Sequence, residues 1–387
     1  MYNIIILGIV SFLIDVSSEM VYPLVPIYLT SKLGVAPTVV GIIEGIAESL
    51  ASLVKVFSGY ISDKFKRRKP LAIGGYAFSA IGKVFLVLAN SWLWVLFSRI
   101  IDRFGKGVRT APRDALIAEC SEQGCSGRSF GLHKAMDNLG AVVGIVLAYY
   151  LFVYYKGDFI PVFLISVIPA ILGVLVLFLV REKKQRTIMT AKKLKFQWGS
   201  LDLRLKWFLV VLFIFTLGNS SNQFLLLRAK SLGWSTNVTI LLYLTFNVIA
   251  TLVSYPAGRL SDKFGRRTFL VFGYLFYGLV YLGFAIVRTP EMLWLLFGIY
   301  GIYTGLTGSV EKALVADIAP EDKRATLIGL HAMVVGIGLL PASVLAGFLW
   351  SRFGAPAPFY FGGVMGILAG VALFITLAPQ NKTALTE

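Results

Sequence analysis

Charge is what this sequence has least of. Only 15% of its 387 residues are charged, too few to cover the surface of a soluble chain of that length. Cysteine is scarce as well: Cys120 and Cys125 are the only two, in one connecting stretch, and they are read as reduced thiols. With two histidines in the whole chain no Cys/His ligand set completes a zinc site, so no resident metal and no cofactor is expected. Motifs of soluble enzymology are missing too. "GKGVRTAPRD", from Gly105, is glycine-rich and basic, but it ends an apolar segment where a phosphate loop needs a strand before it and a helix after it. The chain is therefore not expected to be an enzyme.

What is present in quantity is apolar length. The sequence is 57% hydrophobic with a mean hydropathy of +0.77. Runs such as 162–180, 207–227 and 269–287 are each long enough to cross a hydrocarbon core of about 30 Å as a helix of about 20 residues. They lack the period-2 alternation of a membrane barrel. The expectation is an all-α polytopic membrane protein. Its first six helices are placed near 4–31, 38–61, 70–90, 92–117, 129–155 and 159–180. The second six are placed near 207–228, 236–260, 268–288, 291–317, 325–350 and 357–378. Between them runs the polar linker 181–206, dividing the chain into 1–180 and 207–387. The first segment has no basic n-region or small-residue cleavage site and reads as a retained helix.

The net charge of +17 suggests nucleic acid until the positions of the charges are considered. "KFKRRK", the 181–206 linker, "KFGRR" and "EDKR" all fall on one side of the proposed spans. The other side receives little beyond Lys32, Lys156, Lys230 and Arg352. By the positive-inside rule the basic side and both termini are cytoplasmic, which suits a multi-pass protein of the bacterial inner membrane. The lipid bilayer is the partner implied, and nucleic acid is not.

The two halves repeat. "GYISDKFKRRKP" from Gly59 and "GRLSDKFGRRTF" from Gly258 lie 199 residues apart. "RDALIAEC" from Arg113 and "EKALVADI" from Glu311 lie 198 apart, as do the two "GLH" triplets. Six helices intervene, so the copies share one orientation, a parallel repeat of six-helix halves. The motif G-x-x-x-D-[RK]-x-G-[RK]-[RK] after the second helix resembles that of the major facilitator superfamily. The first copy supplies Gly59, Asp63, Lys64, Arg67 and Arg68 with Lys66 in place of the second glycine, and the second copy matches throughout. The resemblance covers essentially the whole chain. It implies twelve helices in two pseudo-symmetric bundles that rock about a midplane site, normally as a monomer. Gly59 would let its helix approach a neighbour closely, and Asp63 would accept from an arginine, with Arg113 the candidate. Gly59, Asp63, Arg67, Arg113, Gly258, Asp262 and Arg266 are thus expected to latch the cytoplasmic side shut. Arg99 resembles the fourth-helix arginine of drug/proton antiporters. Ile145 and Ala148 depart from the proline and paired glycines usual on the fifth helix of those proteins.

Ionisable residues inside the spans are functional candidates by default. Asp15 and Glu19 share one helix face, as do Glu44 and Glu48. Lys83, Arg99, Asp102, Arg103 and Asp137 follow on the third to fifth helices. Such a concentration exceeds what helix packing needs and suggests a wet, coupled network. Burial and like-charge proximity raise carboxylate pKa values in general, which lets a carboxylate carry protons near neutral pH. Asp15, Glu19, Glu44, Glu48, Arg99, Asp102 and Asp137 are the expected proton-coupling residues. Lys83, Arg99, Asn219, Asn222, Gln223, Asn247 and Tyr303 are the expected substrate contacts, mostly neutral and polar in the second half. The function expected is proton-coupled transport of a small organic solute, with export favoured. The alternative is a symporter importing a nutrient, organic anion or metal chelate on Lys83 and Arg99. A sensor or scaffold on the same fold would have little use for so many intramembrane charges.

Overall fold

A computed structural model describes residues 2–65, 68–120, 126–180, 202–307, 310–318 and 324–376. Every regular element among them is helical. In the first half, α1 is Tyr2–Val21, prolonged by Val25–Ile27 and a π turn, Tyr28–Lys32. Then follow α2 Pro37–Phe65, α3 Arg68–Val87, α4 Trp92–Cys120, α5 Ser126–Tyr154 and α6 Phe159–Leu177. In the second half, α7 comes in two pieces, Leu203–Gly218 and Gln223–Ser231, followed by α8 Thr236–Phe264 and α9 Arg266–Ile286. α10 is Met292–Thr307, followed by Val310–Ile318; α11 is Arg324–Phe353 and α12 is Ala357–Thr376. The linker 181–201 and the tail from residue 377 lie outside the described residues, as does Cys125.

Several helix starts have a local cause. Asp158, Asp202 and Ser235 each cap a helix by accepting from a backbone N–H of its first turn. The Asp202 cap starts α7 at Leu203, ahead of the expected 207. The continuous seventh helix expected over 207–228 is broken instead at Asn219–Asn222. Asn and Ser side chains compete for backbone groups that a helix would use, and Ser221 Oγ accepts from Gln223 N at 3.3 Å.

Among the described residues nine helices are long and apolar enough to cross a membrane, and Met292–Thr307 is apolar but shorter. The long helices outside that set are α2 and α4, the two richest in buried charge. Glu44, Arg99, Asp102 and Arg103 on them are buried in protein, while residues such as Leu164, Leu252, Phe272 and Phe374 stand exposed on the outside, where lipid would cover them.

The packing repeats along with the sequence. α1 packs on α5 and α6, α2 on α4, and α3 on α4 and α6. The equivalents recur as α7 on α11 and α12, α8 on α10, and α9 on α10 and α12. Gly140 and Gly144 allow α5 to reach the α1 backbone at Phe12 and Val16, where any Cβ would collide. The halves meet through α2 with α11 and α5 with α8. The α2–α11 seam is tight from the start of α2 inward. Thr38 Oγ1 donates to Gly347 O at 3.0 Å, Gly41 abuts the Ser343 carbonyl, Gly45 abuts Leu340, and Ser49 donates to Gly336 O. Nearby, the rings of Tyr22 and Tyr243 stack across the halves with centroids 5.4 Å apart. The molecule is therefore closed at the end where α2 begins and α11 ends.

Candidate functional site

The intramembrane charges of the first half converge on one side of the interface, most of them in ion pairs. Arg99 on α4 grips Glu44 on α2 in a fork: Nε donates to Oε1 and Nη2 to Oε2, both at 2.8 Å. Glu44 is 0% exposed and Arg99 5%, so this pair is sealed from solvent. One turn along both helices, Arg103 Nη2 meets Glu48 Oε1 at 2.9 Å. Lys83 on α3 lies 3.5 Å from Asp102, which also stands 3.9 Å from Arg99. The spacing of four residues on α2 and on α4 aligns the two Glu–Arg pairs as successive rungs.

Asp15 and Glu19 are different. Both are half-buried on α1, and neither has a lysine or arginine at ion-pair distance among the described residues. The charged neighbours of Asp15 are Asp137, Glu19, Arg109 and Lys106. Glu19 Oε2 accepts from Tyr243 Oη at 3.1 Å, a hydrogen bond from the second half to an acid of the first. Asp137 on α5 faces His133, one turn earlier, at 3.7 Å.

Between the halves lies a cavity of about 370 Å³. Tyr22 and Glu48 line it from the first half; Asn219, Asn222, Tyr300, Tyr303 and Glu311 line it from the second. The break in α7 supplies Asn219–Asn222, and Tyr300 Oη donates to Asn222 Oδ1 at 2.8 Å. Behind these stands an aromatic wall: Phe215 stacks on Tyr274 with centroids 3.9 Å apart, and Tyr277 packs on Tyr281 and Tyr303. A further pocket, of about 440 Å³, sits at the closed end beside Lys156 and Lys230, away from the buried charges.

Of the expected substrate contacts, Asn219, Asn222 and Tyr303 are on the cavity wall. Gln223 is fully buried, and its amide finds no partner among the described residues. Asn247 donates back to Tyr243 O in its own helix at 2.9 Å. Lys83 and Arg99 are engaged by carboxylates rather than open to the cavity. Of the expected latch, Asp63, Arg67, Gly258 and Asp262 lie outside the residues whose surroundings are described. Gly59 lies against Ala111 of α4, Arg266 opens α9, and Arg113 donates to Asp114 and to Ser11 Oγ.

Sequence reasoning passed over one cluster. Glu311 on the cavity wall accepts from Tyr274 Oη at 3.0 Å, and its other oxygen lies 3.4 Å from His331 Nε2. Both residues sit in the repeat that marks the two halves, as counterparts of Arg113 and His133. That signal, an acid in the second copy where the first carries an arginine, was present in the sequence.

Comparison with known proteins agrees with this architecture. The model of the Major Facilitator Superfamily matches residues 7–227 and again 207–387. An uncharacterised MFS-type transporter of Methanocaldococcus jannaschii is 38% identical over 379 residues, covering 96% of this chain and 94% of that protein. The multidrug resistance protein MdtH of Salmonella newport is 25% identical over 360 residues, covering 91% and 89%. Among solved structures, the nucleoside transporter NupG superposes with a TM-score of 0.78 at 13% identity, over 98% of this chain and 100% of that one. A bacterial homologue of the human lysosomal transporter Spinster, inward-facing and unoccupied, superposes with a TM-score of 0.74 at 16% identity, over 97% and 95%. These structures share the fold. The chain belongs to the Major Facilitator Superfamily.

Proposed function

We propose that this member of the Major Facilitator Superfamily is a proton-coupled exporter of small organic solutes. The reading is carried by the contrast within the first-half network. Glu44, Glu48 and Asp102 have lysine or arginine partners, whereas Asp15 and Glu19 have none at ion-pair distance among the described residues, and Glu19 reaches the second half through Tyr243. A carboxylate beside other carboxylates, held in low dielectric, binds a proton more readily than one neutralised by a guanidinium. Asp15 and Glu19 are accordingly assigned as proton carriers, with Asp137 beside them. Arg99, Glu44, Glu48 and Asp102 form the framework that positions them. Asn219, Asn222 and Tyr303 hold solute on the opposite wall.

Export is favoured by the likeness to a protein named for multidrug resistance. The carboxylate partners of Lys83 and Arg99 speak against import of an anion bound directly by those residues. With the basic loops in the cytoplasm, the closed end is the outer one, and the fold is in an inward-facing arrangement of a monomer in the inner membrane. The latch of Asp63 and Arg113 then belongs to the opposite state, and the division at 181–206 separates the two rocking bodies.

The test is growth of a host stripped of its own exporters, challenged with a panel of toxic compounds at matched expression of wild type, Asp15→Asn and Glu48→Gln. Protection by wild type and its loss in Asp15→Asn supports export with Asp15 as carrier. Sensitisation by wild type, or rescue on a limiting nutrient, would replace export by import. Full protection by Asp15→Asn would remove that residue from coupling.

A further inference from the structure

The sequence contains two histidines, and both stand at one position of the internal repeat, 198 residues apart. Each is buried in the helix that faces the other half, His133 on α5 at 4% exposure and His331 on α11 at 4%. Each stands beside a carboxylate. Their remaining surroundings differ in sign. His133 has Arg113 and Asp114 of α4 near it, with Asp137 and Lys134 on its own helix. The position of Arg113 is taken in the second half by Glu311, so the equivalent histidine meets an acid where its twin meets a guanidinium.

The second-half site is geometrically specific. Glu311 Oε1 is occupied by the Tyr274 hydroxyl of α9, leaving Oε2 to face His331 Nε2 at 3.4 Å. Neither ring nitrogen of His331 makes a hydrogen bond among the described residues. Its ring lies parallel to Phe208 of α7, 10° between planes, an apolar neighbour that fixes orientation without accepting a proton. The other titratable groups around Glu311 are Tyr303 of α10 and, on the cavity walls, Tyr22 and Glu48, the latter neutralised by Arg103. Among the described residues Glu311 is the only cavity-lining carboxylate without a lysine or arginine partner.

We propose that Glu311 and His331 form a proton-binding site of the second half, open to the central cavity and separate from the carboxylates of α1. A proton taken up there turns a carboxylate beside a neutral imidazole into an imidazolium–carboxylate pair. The site then changes from net negative to neutral where solute is held. Deprotonated, it presents a negative charge to the cavity beside Tyr303. The site extends the proton-coupled reading above, yet its proton binding is measurable without any solute and without the first-half residues.

The experiment uses full-length protein without a polyhistidine tag, in lipid nanodiscs, with isotope-labelled histidine. The chain then gives two imidazole signals, assigned by His331→Asn. The expected result is that the His331 signal passes from neutral to imidazolium as pH falls between about 8 and 5. In Glu311→Gln this midpoint should move, since the neighbouring negative charge is gone. A His331 signal that stays in one neutral form across that range would overturn the proposal on wild-type protein alone, as would a midpoint indifferent to Glu311→Gln. Because flux is not the readout, a failure of Asp15→Asn to affect export leaves this result standing, and the reverse also holds.

Discussion

The two halves share a chain path, a packing plan and a repeated loop, yet they face their common cavity with different chemistry. The first half builds rungs of buried ion pairs, Glu44–Arg99 and Glu48–Arg103, with Lys83–Asp102 behind them. The second half presents tyrosines, asparagines and one acid–imidazole pair. A fold that needed the charges for its own stability would carry them on both sides, because both sides solve the same packing problem. The asymmetry indicates that the shared fold tolerates the ion pairs without requiring them.

Breaking the sealed rung should have the largest effect. Arg99→Ala leaves Glu44 buried without its partner, a loss of about 3–5 kcal/mol. It is expected to show as a sharply lowered thermal midpoint of the purified protein in detergent. The double replacement Glu44→Leu with Arg99→Leu should recover most of that stability, and a double variant no more stable than the single would make the pair structurally indispensable. Next in size is the functional contrast. Glu19→Gln is expected to keep the fold and lower flux at least tenfold, whereas Asn247→Ala in the second half should change it less than about threefold. Comparable losses in both would erase the proposed division between a coupling half and a holding half.

The seam between the halves offers a gentler test. Gly41→Ala places a methyl group against the Ser343 carbonyl, so the closed end can no longer seal as it does. A cysteine introduced at Tyr303 should then react several-fold faster with an impermeant thiol reagent from that end, and unchanged reactivity would mean the seam has slack. Smallest is Tyr243→Phe, which deletes one hydrogen bond to Glu19. A loss of about 1 kcal/mol in the closed state alone shifts its population roughly fivefold. The same reagent assay should register it, and a larger effect would show that the Tyr22–Tyr243 stack depends on the hydroxyl.

Most of the architecture was legible before any coordinates. Twelve spans, the repeat and the uneven distribution of intramembrane charge are each properties of local sequence, because lipid sorts residues one helix at a time. The spacing of Glu44 and Glu48 and of Arg99 and Arg103 already put each pair on one face. The break at Asn219–Asn222 was visible as a polar run, but the apolar stretches on both sides favoured one continuous helix. The Glu311–His331 pairing was harder to see, since its members come from different helices, although each stands in the internal repeat.

What the sequence alone determined is the order of the helices and which helix carries each residue, since these follow from hydrophobic length and caps. Only the tertiary structure decided which charges neutralise one another and which end is shut. It also decided that Glu19 meets Tyr243 of the other half and that Glu311 lines the cavity, while Glu44 is sealed from it. Those outcomes depend on how one helix is rotated against the next, and rotation is set by glycine contacts and side-chain shape across an interface that no single segment encodes.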